Sequence, residues 1–219
     1  ATRSWRPLAL VAATVLLVTL AAIRWLPGAP GALEVDATFF RAFGEQELRL
    51  RPGARLEAGD ELFLEVRGTR DMWTYVFSED DAGEMYVLFP LEGCDVANPL
   101  PADRTTRLPG TFDRKPGKWT ATSSGGREHL FVVASTSPLN ELEDEIARAP
   151  QASPGTPVHL GAESVRRLGV RRGIGGVALD EAPDSGGGSA LARLFREFAE
   201  RSGDENLWTW SITLENPEG

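Results

Sequence analysis

A single cysteine, Cys94, stands among the 219 residues, so no internal disulfide can staple the fold. A chain of this length has core enough to do without one, and its cysteine usage says nothing of the compartment. Histidine occurs only at His129 and His159, outside any His-Glu-x-x-His or comparable spacing, so neither reads as part of a zinc site. Lysine is confined to Lys115 and Lys118; nearly all positive charge is arginine, a bias expected of a GC-rich bacterial genome. Acidic residues are missing from the first 26 positions. All 32 of them, but only 20 of the 23 basic residues, lie beyond, a formal charge of −12 that argues against nucleic acid or anionic lipid as the main partner of that part. No internal repeat is visible.

What is present at the N-terminus is an uncharged run. Pro7 to Ile23 carries no charge, and with Arg24, Trp25 and Leu26 it reaches the length of about 17 to 25 residues that spans a bilayer. Arg24 can snorkel to the headgroups, and Trp5 and Trp25 bracket the run where amphipathic rings settle. Arg3 and Arg6 precede it and Arg24 follows, so the positive-inside preference puts the N-terminus in the cytoplasm by a margin of one charge. The rival is a signal peptide cut near Ala29-Pro30-Gly31, although Pro30 is a poor neighbour for cleavage and the run exceeds a usual signal core. A buried core helix fits less well, because no polar face recurs at the helical period.

The expected organisation is a cytoplasmic remnant (1–6), a transmembrane helix (7–26), a Pro/Gly linker (27–32) and an extracytoplasmic domain (33–219) at the bacterial inner membrane. Because the chain opens on Ala1, a longer product with an upstream cytoplasmic part is expected.

Beyond the linker the pattern is mostly of period two. Strands are expected over 33–41, 45–50, 60–67 with Leu62, Leu64 and Val66 on one face, and 71–78 with Trp73, Tyr75 and Phe77 together. The polar turn 79–84, containing Gly83, should join the last of these to 85–89 as a hairpin. From 91 to 117 prolines predict ordered loop with a short strand over 105–108; strands resume over 118–122, 129–134, 176–179 and 207–214. In the last, Trp208, Trp210, Ile212 and Leu214 share a face, which predicts a buried strand. Two helices are expected, over 137–146, with Ser137 as cap and Pro138 in the first turn, and over 189–202, with Leu191, Leu194, Phe195 and Phe198 on one stripe. The fold class is therefore mainly β: an antiparallel β-sandwich with two peripheral helices.

Candidate chemistry is thin. Glu128 and His129 are adjacent in a strand, so their side chains point to opposite faces and make no dyad. His159 sits in a Pro/Gly-rich loop, and Cys94 reads as a loop thiol. Glu79, Asp80, Asp81 and Glu84 crowd one turn without EF-hand spacing, which favours a solvated hairpin over a calcium site. Arg166, Arg167, Arg171 and Arg172 before Gly173-Ile-Gly-Gly176 follow no strand and open no helix, so a solvated turn is preferred over a phosphate site. The stripe of Trp73, Tyr75 and Phe77 could stack a sugar, yet at strand period it is more often core. No catalytic, metal or cofactor-binding residues are assigned.

One set of short motifs carries a resemblance. Gly59-Asp60-x-Leu62, Tyr75-Val-Phe77, Gly83-Glu84, Leu88-Phe-Pro90, Asn98-Pro-Leu100, Leu108-Pro-Gly110 and Val132-Val-Ala-Ser135 occur in order. Over about 56–137 the chain resembles the bacterial domain of unknown function numbered four-three-eight-four, which leaves 150–219 as a C-terminal elaboration. The resemblance implies a sandwich without known catalytic residues. Relatives of this kind are often attached to serine/threonine kinases, caspase-like proteases or membrane regulators, so an accessory role is implied. Arg3-x-Trp5-Arg6-Pro7 before the apolar run is similar to the membrane segment of anti-sigma-type regulators. The expected function is a non-catalytic sensory or protein-interaction module with an unknown envelope protein or polymer as ligand. The alternatives are a tethered binder of a glycan or peptide, favoured by exposure of Trp73 or Trp208, and a hydrolase that would need Cys94 and His129 to meet.

Overall fold

The computed structural model describes residues 32–122, 125–150, 153–170, 191, 193, 195 and 207–216. The expected membrane segment 7–26, the expected strand 176–179 and the Arg-Gly turn at 171–176 lie outside them. Among the described residues no helix is long and apolar enough to cross a membrane.

The domain is mainly β, and its paired strands run antiparallel. One sheet has the order β2 (Gln46–Arg49), β1 (Val35–Phe43), β3 (Glu61–Gly68), β6 (Thr106–Leu108), with β9 (Trp119–Thr120) also on β3. The second has the order β11 (Val158–Leu160), β5 (Met85–Phe89), β4 (Trp73–Asp80), β10 (Arg127–Ser135), β12 (Leu207–Glu215). A small hairpin, β7 (Thr111–Phe112) with β8 (Lys115–Pro116), stands apart. It falls where prolines predicted loop, and the β1, β3, β4 and β10 strands each run one to two residues past their expected C-terminal ends.

The two sheets share one core. Phe39, Leu62, Leu64 and Val66 of the first meet Val76, Leu130, Val132 and Ile212 of the second, all at most 4% exposed. Alternation alone explains most of this set, but not the adjacent Leu88 and Phe89, which both enter this core. The reason is a bulge: Val76 pairs with Phe89 and Phe77 with Val87, so Leu88 is the extra residue. Left out of the β4 ladder, the Leu88 carbonyl accepts the indole N–H of Trp119 at 2.8 Å. Gly53 and Leu56 donate to β12 carbonyls, at Thr213 and Glu215, so the free edge of β12 is covered by the chain leading into β3.

The second sheet is buried on its other face too. Tyr75, Phe77, Met85, Val87, Phe131 and Val133 form a further core beneath α1 (Asn140–Arg148) and α2 (Ala162–Val170). Residues 191, 193 and 195 are also helical, and Leu191 and Phe195 join this core. From α1 and α2, Leu142, Ile146 and Leu168 cover the sheet. Tyr75 and Phe77 are thus core, while Trp73 packs half-buried at its margin.

Helix α1 starts later than its sequence suggests. Ser137 does not cap it; the residue at that position is Leu139, without a side-chain cap bond. Instead the Leu139 N–H donates to the Tyr75 hydroxyl at 3.1 Å, and that hydroxyl donates to Glu143 at 2.7 Å. Burial, and next the bond to Glu143, push the phenol well above its ordinary pKa, so it stays a donor. Tyr75→Phe is expected to cost about 1 to 2 kcal/mol in urea unfolding, because it strands two polar groups at the helix entry.

Two elements were hidden in the sequence. His159 lies on β11, not in a loop, and Arg166 and Arg167 lie on α2, not in a solvated turn. Arg167 forks onto Glu145 of α1, with contacts of 2.9 to 3.2 Å, and Arg148 reaches the same carboxylate at 2.6 Å. The Arg167–Glu145 ion pair pins α2 to α1. In β12, Leu207, Ile212 and Leu214 are buried, but Trp208 and Trp210 are only half-buried against the inter-sheet core.

Candidate functional site

The two sheets do not close on each other everywhere. A cleft of about 510 Å³ opens between them, with a floor of Leu56, Leu62, Leu88, Trp119 and Leu130. Every floor residue is at most 6% exposed. The Trp119 indole lies there because its N–H is held by the bulge carbonyl, so the irregularity in β5 shapes the floor.

Strand register sets the wall and the rim. Ser78 pairs with Tyr86 on one side and with Leu130 on the other, so all three point the same way. Two residues on, Asp80 of β4 pairs directly with Glu128 of β10, which puts two carboxylates side by side at the mouth. Like charges opposite one another across a ladder are unfavourable unless neighbouring groups offset them. Glu84 and Lys118 complete the charged rim. Lys118 is held by Glu61, and the far lip is the turn 155–157.

The turn is exposed from residue 81 to 84, as its sequence predicts, and its carboxylates part to three destinations. Asp80 and Glu84 reach the cleft. Glu79 is 4% exposed on the opposite face and accepts the Leu191 N–H at 3.1 Å. Asp81 takes the backbone N–H and the side chain of Arg127, and lies 3.9 Å from His129 Nε2. Among the described residues no three His, Cys, Asp or Glu side chains are grouped to hold a metal ion.

The other candidates stay apart. His129 Nδ1 lies 2.9 Å from Thr213 Oγ1 on the face opposite Glu128. His159 Nε2 is 2.6 Å from Glu84 Oε2, with its ring 5.1 Å from Tyr86. The Cys94 thiol, with one proton to give, has the carbonyls of Leu91 and Val96 within reach at 3.1 and 3.0 Å, and shares no hydrogen bond with His129. Trp73 and Trp208 are half-buried in different cores. Ser78, Tyr86, Trp119 and Glu128 form the cleft together, a grouping that sequence patterns do not show. Its signal is faint: Val76, Ser78 and Asp80 share a face that turns from apolar to charged toward one end of the strand.

Three carboxyls outside the cleft are held below their ordinary range. Arg127 lowers Asp81, the Thr111 N–H lowers Asp95, and Arg167 lowers Glu145. Each titrates lower folded than unfolded, so its stabilisation is present above the unfolded pKa and lost as pH falls through the folded one. Thermal midpoints should therefore hold level from about pH 7 to about pH 5 and drop below about pH 4. Circular-dichroism melts check this, and a midpoint that rises in acid would contradict it.

Residues 55–138 match the family model described as a domain of unknown function, DUF4384. The matched segment supplies strands β3 to β10, while β1, β2, β11, β12 and both helices lie outside it. The Phe89–Pro90, Asn98–Pro99 and Leu108–Pro109 peptides are all cis, and each falls inside one of the motifs that carry the resemblance. Most of the cleft belongs to this segment; only the lip at 155–157 does not. No curated protein and no solved structure matches the chain.

Proposed function

We propose that the chain is a non-catalytic interaction or sensory module, anchored by residues 7–26 with its β domain, a sandwich in kind, outside the cytoplasm. The observation that carries this reading is the open cleft, with an apolar floor under a rim of Asp80, Glu84 and Glu128. Such a site offers burial and charge to a partner. The uncharged run with its flanking Trp5 and Trp25 supports the anchor, and the −12 charge beyond residue 26 suits a soluble face. The resemblance to accessory domains points the same way.

One strain tests both halves: the full chain carries alkaline phosphatase at its C-terminus and a photo-crosslinking residue in place of Tyr86. Active phosphatase in carbonate-washed membranes and a light-dependent adduct from position 86 are the expected results. Phosphatase that is inactive, or active only in the soluble fraction, overturns the anchored orientation. Absence of any adduct overturns the cleft as an interaction surface.

A further inference from the structure

We infer that the free edge of β2 is a self-association surface: two copies of the chain pair antiparallel about Leu48 and join their first sheets across a two-fold axis. This surface is separate from the cleft and does not depend on it. Among the described residues β2 ends its sheet, and its four residues, Gln46 to Arg49, are all exposed. Leu50 donates its N–H to the Phe39 carbonyl, so Leu48, two residues back, also turns its backbone to β1. The N–H and C=O groups of Glu47 and Arg49 therefore point outward, along an open edge. The same hairpin carries apolar surface. Of the three large apolar side chains exposed among the described residues, Phe43 at 69% and Leu48 at 45% lie here. Strand register puts both on one face, in the row that begins with the buried Phe39 and Leu50.

Charge selects the occupant. For two β2 edges to bond, outward-facing residues must oppose each other, so only registers that pair odd-numbered positions are open. Glu47 against Glu47, or Arg49 against Arg49, would set like charges face to face. Pairing about Leu48 instead sets Glu47 against Arg49 on both sides of the axis, Leu48 against its own copy, and Glu45 against Arg51 at each end. The run Glu45-Gln-Glu-Leu-Arg-Leu-Arg51 is thus complementary to its own reverse. Charges on an edge ordinarily repel a like strand, whereas these attract it in one register. Arg49 and Arg51 make no ion pair among the described residues. Glu47 is held by Arg107 at 2.6 Å, yet one carboxylate can take two guanidiniums, as Glu145 does with Arg148 and Arg167.

The test is disulfide trapping of the full 219-residue chain in non-ionic detergent, with Cys94→Ala in every variant and copper-phenanthroline as oxidant. Leu48→Cys sets the two thiols at a non-hydrogen-bonded pair, where Cα atoms lie about 4.5 Å apart, within disulfide reach. It is expected to give covalent dimer at least about tenfold faster than Ala82→Cys, an exposed position on the turn of the second sheet. Adding Arg49→Glu turns both attractive pairs repulsive and should slow trapping by about tenfold. Adding Glu47→Arg to that variant reverses the charges on both strands and should restore the rate. Trapping at position 48 no faster than at 82 overturns the inference, and that comparison needs no charge variant. Trapping that Arg49→Glu leaves unchanged overturns it too, and moves the contact to another surface, such as residues 7–26. Circular-dichroism melts check that each variant keeps its fold.

Discussion

Replacing Trp119 by alanine is expected to lower the unfolding free energy by about 3 to 5 kcal/mol, read from urea titrations followed by circular dichroism. Two effects add. Trp119 is 4% exposed and packs with Phe39 at a centroid distance of 6.2 Å, so truncation leaves a void between the sheets. It also removes the donor to the Leu88 carbonyl, which the bulge has excluded from the β4 ladder. Trp119→Phe separates them: it keeps an aromatic ring but not the N–H, and should cost about 1 to 3 kcal/mol. If that variant matches the parent, the bulge carbonyl does not depend on the indole.

Where local pattern decides structure, the fold was legible. The alternation of Leu62, Leu64 and Val66 placed β3, and the turn with Gly83 placed the β4–β5 hairpin. Where two partners compete for one strand, it was not. The second sheet is covered on both faces, so β10 reads as a continuous apolar run and gives no hint that helices lie above it. Helix α2 was obscured because Arg166 and Arg167 look alike in the sequence, whereas Arg166 stays exposed beside Glu163 and only Arg167 meets the buried Glu145. The cap of α1 failed for a similar reason: a phenol 64 residues away displaced the local serine. The site depends on register even more. Asp80 and Glu128 are 48 positions apart, and only the β4–β10 pairing makes them neighbours. The membrane segment, by contrast, rests on composition alone and lies outside the described residues.

Gly110→Ala should be the most disruptive single-methyl change in the matched segment, because the Leu108-Pro-Gly110 motif turns where no side chain fits. Gly110 has φ of +100°, a backbone conformation that costs an L-residue about 1 to 3 kcal/mol. A Cβ there would lie 2.7 Å from both Asp95 Oδ1 and Val96 Cγ2. Neither neighbour can easily yield. Asp95 accepts the Thr111 N–H, and its own N–H donates to the Thr111 carbonyl at 3.2 Å. On the other side, the Gly110 carbonyl accepts the Gly117 N–H at 2.7 Å across the β7–β8 hairpin. Strain and overpacking together should remove about 2 to 5 kcal/mol in urea unfolding. Gly53→Ala is the control: φ is +75°, but a Cβ meets nothing within 4 Å, so only strain of about 1 to 2 kcal/mol is expected. Equal losses at the two positions would mean that backbone conformation, not the fit of the Asp95–Val96 loop against the hairpin, fixes glycine in this motif.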